Sequence, residues 1–281
     1  MKAIWVPISG QIAQQEKVDV IANNIANSNT IGFKKDDLAF REYVQSYEDP
    51  QLDIDIPRKN FSTADMYREA GVHKSFVKSA GGFSNFNQGQ LNPTNNPLDF
   101  AINGDGFFEV LTPQGIRFTR RGNFSVNANG ELVTDSNDKL LKARINNNLA
   151  DEENPESRII KVNGNLNNAG QNNKIVVTPK GEIFQNLVQL GKMSVIEFSK
   201  IQELQKDGAG KFKSDNNQEI VSKNDAMNSE VKQGFLEASN VNALTEMSEL
   251  IKAHRQFEQI QKAVQAYDSI NGKAVNDLMK F

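Results

Sequence analysis

The sequence predicts an α+β protein in which N- and C-terminal α-helices pair as a coiled-coil layer and the central domain is all-β. Apolar residues recur every three or four positions near both ends of the 281-residue chain, as on one face of a helix. Between the ends, short β-type runs alternate with Asn, Gly and Pro turn residues. We expect four segments: an N-terminal helix of the helical core at 1–31, an irregular or extended connection at 32–80, a central β domain at 81–231, and a C-terminal helix of the core at 232–281.

The N-terminal helix is predicted from six apolar residues at spacings of three, four or their sums. They are Ile4, Ile8, Ile12, Val18, Ile21 and Ile25. Pro7 either begins the regular helix or kinks it, because proline removes a backbone donor and clashes with the preceding turn. Asn27, Asn29 and Gly32 end the helix, since Asn and Gly tolerate the left-handed conformation that closes one.

The central segment has the pattern of antiparallel hairpins. The β-type runs cover 107–111, 116–120, 123–126 and 175–178. Turn residues separate them, including the Asn-Gly pairs at 129–130 and 163–164, which supply the positive φ angles of tight hairpins. Residues 42–80 mix prolines, charges and scattered aromatics, which favours an irregular or extended path.

The C-terminal helix shows the clearest apolar stripe. Its members are Leu250, Ala253, Phe257, Ile260, Val264 and Tyr267, with polar Asn271 continuing the register. Asn240 or Asn242 is a candidate N-cap that places Glu246 in an early turn. Because an isolated amphipathic helix is marginal in water, we expect the two terminal helices to pack on each other and on neighbouring copies. A helical hairpin that caps the β domain within one chain is the alternative.

Composition excludes several kinds of chemistry. The chain has no cysteine, which excludes disulfides, thiol nucleophiles and Cys-ligated metals, and its two histidines lie far apart in sequence. A net charge of -3 without a basic block disfavours nucleic acid as a partner. The doublet Arg120-Arg121 is expected at the surface. We expect no cleaved signal peptide and no membrane-spanning apolar run. We also expect no enzyme activity, no cofactor and no metal.

Three segments together resemble the flagellar rod and hook protein family. The first is residues 22–34, ANNIANSNTIGFK; the second is 98–108, LDFAINGDGFF, with 118–124, FTRRGNF; the third is 233–242, QGFLEASNVN, continuing to Glu258. The positions that carry the resemblance are Asn23, Asn24, Asn27, Thr30, Gly32, Phe33, Gly104, Gly106, Phe107, Gly234, Glu237, Ser239, Asn240, Asn242 and Glu246.

The resemblance implies a structural subunit of the bacterial flagellar basal-body rod, which crosses the periplasm. It implies export through the flagellar type III apparatus and polymerisation into a hollow helical axial structure that transmits torque and passes export substrates. Its partners would be itself and other rod proteins, with hook, ring proteins and peptidoglycan as further candidates; nucleic acid and a membrane span are not expected. The predicted assembly interface comprises Ile4, Ile8, Val18, Ile25, Leu250, Phe257, Ile260 and Val264.

Two features bear on the position within such a rod. The tail after Asp268 resembles the proximal-rod (F-type) protein, which we favour, whereas the long segment 42–80 is a distal-rod (G-type) and hook feature. A distal-rod or hook-type axial protein is therefore the alternative within the family. From another class, the alternative is a β-rich surface binding module or adhesin with a helical stalk.

Overall fold

The computed structural model describes residues 5–45, 74–143, 155–162, 175–208, 210–214, 223–225 and 229–278. α-Helices lie toward both ends of the chain and β-strands lie between them, so the α+β prediction is confirmed. In chain order, the elements are α1 (Trp5–Ala26), β1 (Asp36–Gln45), β2 (Lys74–Ser84), β3 (Leu91–Pro93), β4 (Phe100–Asn103), β5 (Phe107–Thr112), β6 (Gly115–Thr119), β7 (Phe124–Val126), β8 (Leu132–Thr134), β9 (Lys139–Leu140), β10 (Ile175–Val177), β11 (Glu182–Gln185), β12 (Val188–Lys192), β13 (Val195–Phe198), β14 (Gln205–Lys206), β15 (Lys211–Lys213), β16 (Lys223–Asp225), β17 (Glu230–Gln233), β18 (Phe235–Glu237) and α2 (Ala243–Leu278), with 3-10 helices at Pro155–Arg158 and Ile201–Glu203.

The chain divides into two compact units. The first, here called the helical unit, comprises residues 1–23, 36–83 and 244–281. It contains most of α1, nearly all of α2 and the two-stranded sheet of β1 and β2, here called the ribbon. The second, here called the β unit, comprises residues 24–35 and 84–243.

Antiparallel hairpins build the β unit, as the sequence predicts. The largest sheet has the order β14-β15-β6-β5-β9-β8-β7, and β13 joins it by pairing with β5. Strands β5 and β6 form a hairpin whose turn contains Gly115 at a φ of +109°. Strands β10, β11 and β12 form a separate three-stranded sheet, and Gly181, at a φ of +80°, lies in the turn before β11. The predicted Asn163-Gly164 turn lies outside the described residues.

Strand β5 lies between two hydrophobic cores. Because successive side chains of a strand point to opposite faces, Phe107 and Phe108 enter different clusters. Phe108 packs edge-on against Phe124 with ring centroids 5.5 Å apart. Phe107 packs likewise against Phe212 with centroids 5.7 Å apart. Strand β5 therefore contributes side chains to both clusters of the β unit.

Helix α1 runs from Trp5 to Ala26, close to the predicted span. Ile8, Val18 and Ile25 are half-buried, and Ile4 lies outside the described residues. Ile12, which the sequence places on the packed stripe, is instead 57% exposed. The buried positions include Ala13, and Ile12 lies about 100° around the helix from it.

Helix α2 begins at Ala243, about ten residues after the predicted start at 232. Residues 235–237 form β18 instead, which pairs with β3, and Gly234 at a φ of +77° separates it from β17. Asn242, one of the two predicted N-caps, directly precedes the helix. None of the helices in the described ranges is long and apolar enough to span a bilayer.

The predicted connection at 32–80 contains regular structure at both described ends. Strand β1 reaches Gln45 and strand β2 starts at Lys74, and the two pair as the ribbon. Residues 46–73 lie outside the described part of the chain.

An asparagine organises the turn before β8. The Asn127 side-chain carbonyl accepts hydrogen bonds from the backbone N–H groups of Asn129 and Glu131, at 3.0 and 2.9 Å. Its amide donates to Glu131 Oε2 at 2.9 Å, and this hydrogen bond lowers the pKa of the Glu131 carboxyl below its usual value of 4.5, with Lys139 assisting. Gly130 completes the turn at a φ of +76°.

We expect Asn127→Ala to raise the pKa of Glu131 toward 4.5, because the ionised carboxylate loses its main donor. A depressed carboxyl pKa stabilises the fold above pH 4.5, and that stabilisation is lost as the pH falls through the folded-state pKa. The stability difference between wild type and variant should therefore narrow in acid. An NMR titration of the Glu131 carboxyl, with exposed Asn129→Ala as the control, measures the shift; an unchanged pKa in Asn127→Ala would contradict this account.

Candidate functional site

A buried ion cluster joins the three sequence motifs within the β unit. Lys34 Nζ lies 2.7 Å from Glu237 Oε1, and Arg120 Nη1 lies 3.3 Å from Glu237 Oε2. Each of these side chains is at most 1% exposed. Lys34 ends the first motif, Arg120 belongs to the second and Glu237 to the third. The cluster therefore connects segments that lie far apart in the sequence.

Two cations share one carboxylate, so further polar and aromatic contacts compensate for their burial. Lys34 Nζ also donates to the Asn87 carbonyl at 2.8 Å. Arg120 Nη2 donates to the Gly104 carbonyl at 2.8 Å, and the guanidinium carbon lies 4.7 Å from the centroid of the Phe107 ring. Arg120 Nε has no hydrogen-bond partner among the described residues.

Burial lowers the pKa of Lys34 and of Arg120 below the usual values, because the charged forms lose water. The Glu237 carboxylate opposes both shifts by favouring the charged forms. Removing Glu237 would leave two like charges together in a dry interior.

Glycines allow the backbone to close around the cluster. Gly32 has a φ of +65°, and a Cβ atom there would lie 2.6 Å from the Arg120 carbonyl carbon. Its N–H donates to the Glu237 carbonyl at 2.8 Å. At Gly122, a Cβ atom would lie 1.5 Å from the Phe100 carbonyl oxygen. Side chains at these positions would force the motifs apart.

The strap at residues 32–35, which follows α1, is also held by side chains from two other segments. Lys206 Nζ lies 4.1 Å from the centroid of the Phe33 ring and donates to the Lys34 carbonyl at 2.8 Å. Asn240 Oδ1 accepts from the Lys35 N–H at 2.7 Å. The Asn240 amide donates to the carbonyl of Asn85 at 2.8 Å, so it ties the strap to a third segment.

An open groove of about 550 Å³ lies beside this strap. It is lined by Ser28, Asn29, Asn85, Asn87, Gln88, Gly89, Gln90, Ser239, Asn240, Val241, Asn242 and Ala243. These side chains offer amides and hydroxyls but no ionisable group, so the groove holds no acid–base pair for catalysis. The described residues also contain no group of three His, Asp or Glu side chains placed to bind a metal ion.

Comparison with known proteins finds the same three regions. The family model described as "Flagella basal body rod protein" matches residues 6–34, "Flagellar hook protein FlgE/F/G D1 domain" matches 101–199, and "Flagellar basal body rod FlgEFG protein C-terminal" matches 232–278. The flagellar basal-body rod protein FlgF of Caulobacter vibrioides is 30% identical over 99% of this chain and 98% of its own. The chain belongs to the flagellar basal-body rod protein family. It is a structural subunit of the rod in the bacterial flagellar basal body.

Relatives of both rod types match this rod subunit over nearly its whole length. The rod protein FlgG of Borreliella burgdorferi is 33% identical and FlgG of Bacillus subtilis is 28% identical, each over 98% of this chain and 98% of its own. The identities of F-type and G-type relatives are therefore similar.

Other motif residues of the rod subunit serve turns and close contacts. Thr30 Oγ1 donates to Asn27 Oδ1 at 3.2 Å just after α1. Ser239 Oγ accepts from the Val241 N–H at 3.2 Å shortly before α2. The Gly106 N–H donates to the Ser229 hydroxyl at 3.0 Å. A Cβ atom on Gly106 would lie 2.5 Å from Val195 Cγ1.

The remaining motif positions differ in burial. Asn24 and Glu246 are buried, whereas Asn23 and Asn242 are exposed. Of the residues predicted to form the assembly interface, Ile25 belongs to the β unit and the other described ones belong to the helical unit.

Arg120 corrects one sequence expectation. The Arg120-Arg121 doublet was expected at the surface, but Arg120 is fully buried because Glu237 and Phe107 hold its guanidinium. The partner carboxylate lies 117 positions away, and nothing near Arg120 in the sequence signals it. The hydrophobic context of the second motif was the only local sign of burial.

We expect Glu237→Gln to destabilise the fold by about 3–5 kcal/mol, since it leaves Lys34 and Arg120 buried without the carboxylate that pairs with both. The Lys200–Glu203 pair, in which the two charges lie 3.2 Å apart and the side chains are 72% and 31% exposed, provides the control Glu203→Gln, expected to cost less than about 1 kcal/mol. Urea unfolding of the full chain measures both. Equal midpoints for the two variants would show that the cluster does not stabilise the fold.

We expect Gly32→Ala to cost more than Gly208→Ala. Both glycines have a positive φ, +65° and +69°, so each alanine should cost about 1–2 kcal/mol of backbone strain. Only Gly32 abuts another chain segment; Gly208 has nothing within 4 Å of the added Cβ. Overpacking should add about 1–3 kcal/mol at Gly32 alone, and thermal unfolding of both variants isolates this difference. A Gly32→Ala cost no larger than that of Gly208→Ala would contradict the tight contact.

Proposed function

We propose that copies of this rod subunit polymerise through the helical unit into a hollow helical axial structure. This proposal rests on one observation: the exposed apolar side chains are concentrated on the helical unit. Of fourteen large hydrophobic residues exposed in the described part of the chain, all but Val176, Leu187 and Val188 belong to the helical unit, which leaves eleven there. A concentration of this kind is typical of surfaces that become covered in an assembly.

Within one subunit, we propose that α1 and α2 pair as a coiled coil. A Cβ atom at Gly10 of α1 would lie 3.9 Å from Ile260 Cδ1 of α2, so the two helices approach closely at this point. On α2, Leu250, Phe257 and Val264 are half-buried, as expected for residues on the side of the helix that carries Ile260. The predicted interface residues therefore include those that pair the helices within a subunit.

A second apolar stripe on α2 is exposed and would contact neighbouring copies. Leu244, Met247 and Ile251 are spaced by three and four residues, and all three are exposed. Because this stripe differs from the one facing Gly10, its contact with another copy would join two different surfaces. Repetition of such a heterologous contact produces an open helical filament rather than a closed ring.

The wider role follows from the axial structure. A rod built in this way would transmit torque along its length and pass export substrates through its lumen, after its own export by the flagellar type III apparatus. Its neighbours would be other rod proteins, with hook, ring proteins and peptidoglycan as further candidates.

For the position in the rod, we propose the proximal (F-type) location; F-type and G-type relatives are 30% and 33% identical to the chain, so a labelling experiment is needed to separate the two. A label on the subunit, viewed in electron micrographs of isolated rods, should appear at the end nearest the inner membrane. A label at the hook end would make the subunit a distal-rod protein instead.

We expect Ile251→Asp to leave the monomer folded but to weaken self-association by about tenfold or more, because a charge replaces an apolar contact. Circular dichroism checks the fold, and sedimentation of the full chain together with swimming motility checks assembly. The control Gln256→Asp adds the same charge at an exposed position on another side of α2. Normal rods in cells that carry Ile251→Asp would contradict assembly through this stripe.

A further inference from the structure

The turn between β7 and β8 contains the pair Asn129-Gly130, which can undergo deamidation. In this reaction the Gly130 backbone nitrogen attacks the side-chain carbonyl carbon of Asn129, and ammonia leaves to give a cyclic succinimide. The proton of that nitrogen leaves with the ammonia by way of solvent. Water then opens the ring at either carbonyl and yields aspartate or isoaspartate. Glycine favours the attack because it has no side chain to hinder its nitrogen, and the Asn129 side chain is exposed to water.

The structure requires glycine at position 130. Gly130 has a φ of +76°, and a Cβ atom there would lie 2.7 Å from the Val162 carbonyl oxygen. The Val162 N–H donates to the Gly130 carbonyl at 2.7 Å, so the two segments are in direct contact. Any other residue would be strained and crowded here. The fold therefore keeps the residue type that makes Asn129 reactive.

Asn127 closes the turn around the reactive pair. Its backbone carbonyl accepts from the Gly130 N–H at 3.0 Å, so the attacking nitrogen is held in a hydrogen bond. Its side-chain carbonyl accepts from the N–H groups of Asn129 and Glu131 at 3.0 and 2.9 Å. The reaction therefore needs the turn to open first. Because deamidation is slow compared with local opening, its rate follows the population of the open turn.

The other Asn-Gly pairs in the described ranges lie in more regular backbone. Asn103-Gly104 lies at the end of β4, where Arg120 Nη2 donates to the Gly104 carbonyl at 2.8 Å. Asn271-Gly272 lies within α2, whose backbone hydrogen bonds hold the glycine nitrogen. Asn163-Gly164 lies outside the described residues. Among the described pairs, Asn129-Gly130 is therefore the one that lies in a turn.

We propose that Asn129 is a deamidation site and that Asn127 keeps it closed in the folded protein. The consequence of the reaction follows from the hairpin register. Val126 pairs with Leu132 across the turn, and Leu132 is fully buried in the core. Isoaspartate adds an extra carbon to the backbone of the turn and disturbs this pairing. Aspartate keeps the backbone but adds a negative charge two residues from Glu131.

The test compares Asn127→Ala with wild type as full-length chains incubated near neutral pH, with peptide mapping by mass spectrometry. We expect deamidation at Asn129 to be about tenfold faster or more in the variant, because the turn loses the two hydrogen bonds accepted by the side chain of residue 127. Asn103 provides a reference in the same molecule. Its rate should stay unchanged, since a change in global unfolding would expose both pairs.

Hydrogen exchange at the Gly130 amide measures the opening of the turn directly. We expect exchange in Asn127→Ala to accelerate by about the same factor as deamidation, because both need the same opening. Unchanged deamidation at Asn129 in the variant would overturn the inference. Equal acceleration at Asn103 would also overturn it, because it indicates general unfolding. Faster exchange at Gly130 without faster deamidation would show that opening of the turn does not control the reaction, which overturns the inference as well.

Discussion

The shared buried carboxylate of Glu237 is the constraint on which the arrangement of the β unit depends. One carboxylate pairs with both Lys34, from the segment after α1, and Arg120, which directly follows β6, and all three side chains are removed from water. A buried ion cluster of this kind tolerates little displacement, because separating any partner leaves a charge in a low-dielectric interior. The close approach of Gly32 to the Arg120 backbone reinforces the same geometry. The strap after α1 is thereby fixed to β18, which shortly precedes α2.

The two units differ in how much apolar surface they expose, and this difference suits a structural subunit. The β unit has two phenylalanine-rich cores on either side of β5 and exposes few large hydrophobic side chains among its described residues. The helical unit has the opposite character, with exposed apolar residues on α1, α2 and the ribbon. The large exposed hydrophobic side chains of the described residues therefore lie mostly on the helical unit, which is the observation behind the proposed assembly through the helices. The groove beside the strap is lined by amides and hydroxyls, with no ionisable side chain in the lining itself.

Residue spacing predicts the secondary structure correctly where interactions between neighbouring residues decide it. The helix of α1, the strands β5, β6, β7 and β10, and the turns at Gly115 and Gly130 follow from residue spacing and from the φ preferences of glycine. The predicted C-terminal segment starts at 232, but residues 235–237 pair with β3, and α2 starts after the N-cap candidate Asn242. The prediction that Ile12 is packed was also wrong, because the elements around α1, and not its own periodicity, decide which face is buried.

By itself, the sequence determined the class of the fold, the hairpin turns, the absence of cysteine chemistry and, through three motifs, the rod family. These depend on residue types and short spacings that are visible in one dimension. Only the tertiary structure decided that Lys34, Arg120 and Glu237 form one buried cluster, and that Leu187 is exposed at a hairpin tip. The cluster depends on contacts between segments that are remote along the chain. The exposure of Leu187 depends on the absence of neighbours around its side chain. No local sequence pattern shows either of these.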